Sequence, residues 1–187
     1  MEEQQKVINE LPLSKVKASR VNPKRLVIYS KPKTGKTTAY AGLENNLLID
    51  LENGSDYVDA LKVKASSLAE LREIGAKIKA AGYPYKYVTI DTVTILEDMV
   101  KPLALKNYQN TPIGKNFKED DVLKLPQGAG YCWLREAFFQ VLSYIDTFAP
   151  HIILSGHLTD NHLDDTGEMV MAAKIALKGK IQSLTCA

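Results

Sequence analysis

Cysteine is scarce in this chain. Two residues in 187, Cys132 and Cys186, lie at a separation that matches neither a metal-ligand spacing nor a disulfide framework. That pattern excludes a cysteine-stapled scaffold and suits a reducing compartment, so a cytoplasmic location is expected, the host cytoplasm if the chain is phage-encoded. Long hydrophobic runs are also missing: none reaches the length that spans a bilayer, and the opening Met1-Glu2-Glu3-Gln4-Gln5 is too polar for a signal peptide. No membrane partner is expected. Charge of one sign is missing too. The net charge is only +2, so any contact with nucleic acid has to come from a local patch and not from a global field. There is no internal repeat and no low-complexity tract.

What is present is ordinary for a globular protein: 45% apolar and 25% charged residues, in a chain long enough for one domain with a sizeable core. Residues 1–24 are polar and basic (Lys15, Lys17, Arg20, Lys24) and read as an arm. A solvated tail is the plain reading of it and contact with a neighbouring subunit the sharper one. The domain proper is expected over 25–187.

That domain is organised around residues 26–38. Leu26 to Tyr29 is a β-branched apolar run, the loop Ser30-Lys31-Pro32-Lys33-Thr34 follows, and Gly35-Lys36-Thr37-Thr38 opens a helix. Strand, loop and helix in this order form the context of a phosphate-binding P-loop, G-x-x-x-x-G-K-S/T. Backbone N–H groups of such a loop surround phosphate oxygens, and the helix N-terminus adds its positive dipole end. Residues 30–38 are therefore the candidate nucleotide cradle, with Lys36 directed at the β- and γ-phosphates. The Thr37 hydroxyl is a candidate ligand for Mg²⁺, a hard cation that prefers oxygen. Ser30 stands where the motif has its first Gly, a position usually reserved for backbone freedom. A chance Gly-Lys-Thr-Thr at a helix start is the bland alternative.

Further along, 47–51 reads as a second buried strand ending in the turn Glu52-Asn53-Gly54-Ser55, and 60–65 as a short extra strand. Ser66-Ser67 caps a helix from about Leu68 to Ala81, which Gly82 ends. Tyr87 to Asp91 is a third strand, with a helix after it to about Leu105. Residues 106–127 lose all period and read as a long loop with Lys106, Lys115, Lys118 and Lys124 among Tyr108 and Phe117. Gly130 to Phe148 is an amphipathic helix and His151 to His157 a fourth strand; 161–167 is turn-rich, and 169–177 looks like a strand paired in a hairpin. Strands that are nearly all apolar, alternating with helices, predict an α/β fold with a mostly parallel sheet covered on both faces.

Asp91, an acid that ends a buried strand, fits the second metal-holding position of a P-loop NTPase, the Walker B acid; a helix-capping Asp is the alternative. Thr92 follows it where the AAA+ ATPases usually have a catalytic Glu. The base then has to come from elsewhere, and Glu52 at the tip of the second strand is the candidate to orient and deprotonate water. His157, at the tip of the fourth strand, reads either as a polar sensor of the γ-phosphate or as a satisfied structural histidine.

Together the P-loop at 30–37, Glu52, Asp91 and His157 resemble the RecA-like ATPases over residues 25–181. The phrases Leu-Leu-Ile-Asp-Leu-Glu-Asn-Gly (47–54), Val-Thr-Ile-Asp-Thr-Val-Thr (88–94) and Leu-Lys-Gly-Lys (177–180) look most like the small bacteriophage members used in single-strand annealing and recombination. Lys31 falls at the signature-lysine position of the ParA/MinD deviant P-loop, but Pro32-Lys33 replace the Gly-Gly of that motif. The resemblance implies a RecA-like P-loop NTPase with sheet order 5-1-4-3-2, the P-loop strand being one and the Asp91 strand three, and a C-terminal β-hairpin. It implies Mg²⁺-dependent ATP hydrolysis coupled to single-stranded DNA binding, with DNA contacted by the 106–124 loop. It also implies a homo-oligomer, ring or filament, in which Lys178 and Lys180 reach the neighbouring subunit's nucleotide. A helicase loader, a helicase core, or a nucleotide-gated module with weak hydrolysis are the alternatives.

Overall fold

The structure is a computed structural model that describes residues 24–158 and 175–178. Five strands form one sheet: β1 (Arg25–Ser30), β2 (Asn46–Asp50), β3 (Leu61–Lys64), β4 (Tyr87–Asp91) and β5 (His151–His157). Their spatial order is β1-β5-β4-β2-β3, and every pair is parallel. The P-loop strand is thus separated from the Asp91 strand by β5, and the 61–64 strand extends the far edge. This is the α/β architecture of a P-loop NTPase. Of the expected order, strands one, four, three and two stand as anticipated. The hairpin and the fifth strand fall outside the described residues except at 175–177, where Ile175 makes an antiparallel bridge to Leu158.

Side-chain alternation divides the sheet into two faces. Leu47, Ile49, Val88, Ile90, Ile152 and Leu154 point to one face and build the main core. There they meet α2 (Leu68–Ala80), α3 (Val93–Met99), α4 (Lys101–Gln109) and α5 (Gly130–Ile145) through residues such as Leu71, Ile78, Leu96, Ala104, Leu134, Phe138 and Ile145. Leu48 and Ile153 point the other way, where Tyr40 of α1 (Lys36–Ala41) covers them. The buried Asn46 bolts α1 to this face: its amide donates to the Tyr40 carbonyl (2.9 Å) and its side-chain oxygen accepts from Thr89 on β4 (3.0 Å). A buried amide is tolerated only when so satisfied.

Two expectations are corrected. The helix after Asp91 is two helices, α3 and α4, which meet at Val100. Pro102 sits in the first turn of α4, where its missing N–H breaks no helical bond, so a new helix starts there. The stretch 106–127 is not an open loop. Its first four residues belong to α4, and three 3₁₀ turns follow (Gly114–Asn116, Val122–Lys124, Pro126–Gly128). Val122 and Leu125 are buried in the main core, which explains the ordered path.

Candidate active site

The loop between β1 and α1 turns on two left-handed residues, Lys33 (φ 62) and Gly35 (φ 86). At Gly35 a side chain would have room, but the backbone angle favours glycine. Ser30 needs no such freedom, because it is the last residue of β1, in parallel register with His157. Its hydroxyl instead serves the loop: it lies 2.5 Å from Thr34 Oγ1 and accepts from Lys36 Nζ at 3.1 Å. Lys36 also donates to the carbonyls of Ser30 (3.4 Å) and Lys31 (3.2 Å). Three oxygens of the loop thus hold the ammonium in place.

Asp91 reaches this loop by parity. It shares a face of β4 with Thr89, the face that α1 covers, and Thr37 is in the first turn of α1. The Thr37 hydroxyl donates to Asp91 Oδ2 at 2.8 Å. Two residues 54 positions apart are brought into direct contact, both with hard oxygen atoms.

The turn after β2 is built on the buried Asp50. Its carboxylate accepts from the backbone N–H groups of Glu52 (3.0 Å), Gly54 (3.3 Å) and Ser55 (2.9 Å) and from the Ser55 hydroxyl (2.5 Å). Burial pushes the Asp50 carboxyl up, but these bonds outweigh it and hold it below its usual range. From β3, Lys62 donates to the carbonyls of Ser55 (2.6 Å) and Val58 (2.9 Å), which fixes the far side of the turn. Glu52 is presented at the tip, where Oε1 lies 2.7 Å from His157 Nε2. The other ring nitrogen, Nδ1, is buried without a partner among the described residues.

These groups border one cleft of about 500 Å³, lined by residues 32–38, Glu52, Gly54, Tyr57, Val58, Asp91 and His157. It opens at the carboxyl ends of the parallel strands, where ligands of such sheets sit. Its chemistry fits a nucleotide with Mg²⁺: a loop turned by a left-handed glycine, one lysine at its centre, and an all-oxygen pair in Thr37 and Asp91. The sequence reading missed Asp50, Ser55 and Tyr57. An Asp followed within a few residues by Asn-Gly-Ser is a turn signature that points to the first two. Tyr57, fully exposed at the cleft mouth, carries no such signal.

The remaining candidates lie elsewhere. Lys178 does not border the cleft; its Nζ pairs with Asp98 at 3.2 Å. Lys180 lies outside the described residues. Lys106, Lys115 and Lys118 are exposed, but Tyr108 packs between Phe117 and Trp133, with ring centroids 5.3 and 5.5 Å away. Those rings pack against the main core. Lys124 is paired with Glu119 and Asp120.

Among known families, the signature of one described as an AAA domain matches residues 22–185. No curated protein matches the chain. No helix among the described residues is long and apolar enough to cross a membrane.

Proposed function

The chain belongs to the AAA domain family, and on that premise we propose that it binds ATP with Mg²⁺ in the 30–38 cleft and hydrolyses it there. The observation that carries this reading is the convergence on one cleft of the Thr37–Asp91 contact and the Glu52–His157 pair. Lys36 exchanges its loop oxygens for the β- and γ-phosphates. Thr37 and Asp91 hold Mg²⁺, which when bound neutralises phosphate charge. Glu52 accepts the proton of the attacking water, taking the part that a Glu after the strand acid usually plays in AAA+ ATPases. His157 donates through Nε2 to keep the Glu52 carboxylate aimed into the cleft, and it reports nucleotide state to the chain that follows it.

The hydrolysis is coupled, in this proposal, to single-stranded DNA in phage-type recombination or annealing, and the working form is a homo-oligomer in the host cytoplasm. The resemblance of 47–54, 88–94 and 177–180 to the small RecA-like proteins supports this, as do the exposed Lys106, Lys115 and Lys118. With Tyr108 and Phe117 engaged in an aromatic cluster, the lysines are the groups that meet DNA, through phosphates. Lys178 and Lys180 act in the neighbouring subunit's site. The test is ATP turnover with and without single-stranded DNA. Strong stimulation is expected. Turnover that DNA leaves unchanged would favour a helicase loader, and negligible turnover with intact ATP binding a nucleotide-gated module.

A further inference from the structure

The mechanism leaves one buried acid unused. Glu97, on α3, is 2% exposed, and a carboxyl is costly there unless hydrogen-bonded. Its Oε1 accepts the backbone N–H of Lys178 at 2.6 Å. Burial raises the Glu97 carboxyl above its ordinary value, against the opposing pull of the Lys178 N–H and ammonium. At the other end of the same short segment, Ala176 N donates to the His157 carbonyl at 2.8 Å, and Ile175 bridges Leu158. Ile175 and Leu177 are buried between these ends. Gly156 leaves the space Ile175 occupies: a Cβ there would stand 2.6 Å from Ile175 Cδ1. Residues 175–178 are thus strung from His157, at the cleft, to Glu97 on α3.

We propose that Glu97 is the positioning residue for Lys178: it fixes the main chain of that residue and leaves the side chain free to change partner. The two attachments of Lys178 differ in kind. Its N–H is held by a buried acceptor. Its ammonium rests on Asp98, with both side chains about half exposed (46% and 52%) and Asp98 shared with Lys101 at 2.6 Å. Exposed pairs of this sort are weak, so the ammonium exchanges easily for a phosphate of an adjoining subunit while the backbone stays in register. This inference rests on the reading of Lys178 as a cation that acts across the subunit boundary.

Hydrogen exchange and turnover test it together. In the nucleotide-free parent the Lys178 amide is expected to exchange at least about a hundredfold more slowly than an unprotected amide; an unprotected amide there overturns the proposal without any variant. Glu97→Leu should speed that exchange and lower turnover of the assembled protein by about tenfold or more, with ATP affinity unchanged within about twofold. In a Lys178→Ala background the same change should cost little more, because Glu97 acts only through that lysine. Glu97→Gln keeps a carbonyl acceptor and should behave like the parent; a Gln variant as slow as the Leu variant would overturn the acceptor role. A slow Lys178→Ala beside a parent-like Glu97→Leu sinks the positioning role alone. A parent-like Lys178→Ala sinks the cross-subunit reading and this role with it.

Discussion

Three oxygens, the Ser30 carbonyl and hydroxyl and the Lys31 carbonyl, hold the Lys36 ammonium at 3.1–3.4 Å. These partners are neutral acceptors at the long end of the hydrogen-bond range, so in the proposed complex the anionic oxygens of phosphate outcompete them. Lys36→Ala should therefore weaken ATP binding by about thirtyfold or more, measured by titration calorimetry. Glu52→Gln should leave that affinity intact and lower turnover by about a hundredfold or more, because an amide cannot accept the proton of water. A Gln variant that turns over like the parent would move the base to another residue. Ser30 belongs to the same scale. The position tolerates a side chain because it ends a strand, and the hydroxyl it brings is used by Lys36 and Thr34.

The turn 51–55 is the element on which Glu52 depends, and Asp50 holds it with four hydrogen bonds. Burial raises the Asp50 carboxyl, but the bonds from Ser55, Glu52 and Gly54 leave it lower in the folded protein than in the unfolded chain. The sign follows: the stabilisation is fully present above the unfolded value of about 3.9 and fades as the pH falls through the lower folded value. Amides of 52–55 should lose hydrogen-exchange protection in that acid window, and Asp50→Asn should remove the pH dependence of the loss. Asp50→Ala should destabilise the fold by about 1–3 kcal/mol, measured in urea, because three backbone donors lose their acceptor. Turnover should fall with it as Glu52 loses its aim; unchanged turnover would mean that β3, through Lys62, holds the turn unaided.

At the scale of the whole molecule the proposal has Lys178 act in a neighbouring subunit's site; in its own chain it lies on Asp98, outside the cleft. Specific activity should then rise with protein concentration. A Glu52→Gln subunit, inactive in its own site, should restore turnover to a Lys178→Ala subunit when the two are mixed, because a cation supplied across an interface is worth about a thousandfold in such reactions. Absence of rescue, with activity independent of concentration, would make the protein a self-sufficient monomer. The DNA surface is tested separately. Replacing Lys106, Lys115 and Lys118 with Ala should weaken single-strand binding and reduce the magnitude of its log–log salt slope by about 2, roughly 0.7 for each phosphate left without its lysine. An unchanged slope would place the DNA site elsewhere.

The sequence by itself determined the parallel sheet and marked residues that border one cleft: 32–38, Glu52, Asp91 and His157. Apolar strands with acids or polar residues at their carboxyl ends, and a Gly-Lys-Thr at a helix start, are local patterns, and local chemistry suffices to read them. It also marked Glu52 and His157 singly, as strand tips. That the two meet at 2.7 Å was decided only by the strand order, which brings the ends of β2 and β5 around β4 to one cleft. The same holds for Glu97, whose neighbour Lys178 lies 81 positions away and whose role no spacing reveals. Tyr108 and Phe117 read in sequence as part of a long loop, and tertiary packing set Tyr108 between Phe117 and Trp133. An aromatic beside lysines has the same local pattern whether it faces solvent or core, and only the burial of Val122 and Leu125 beneath that stretch settles which.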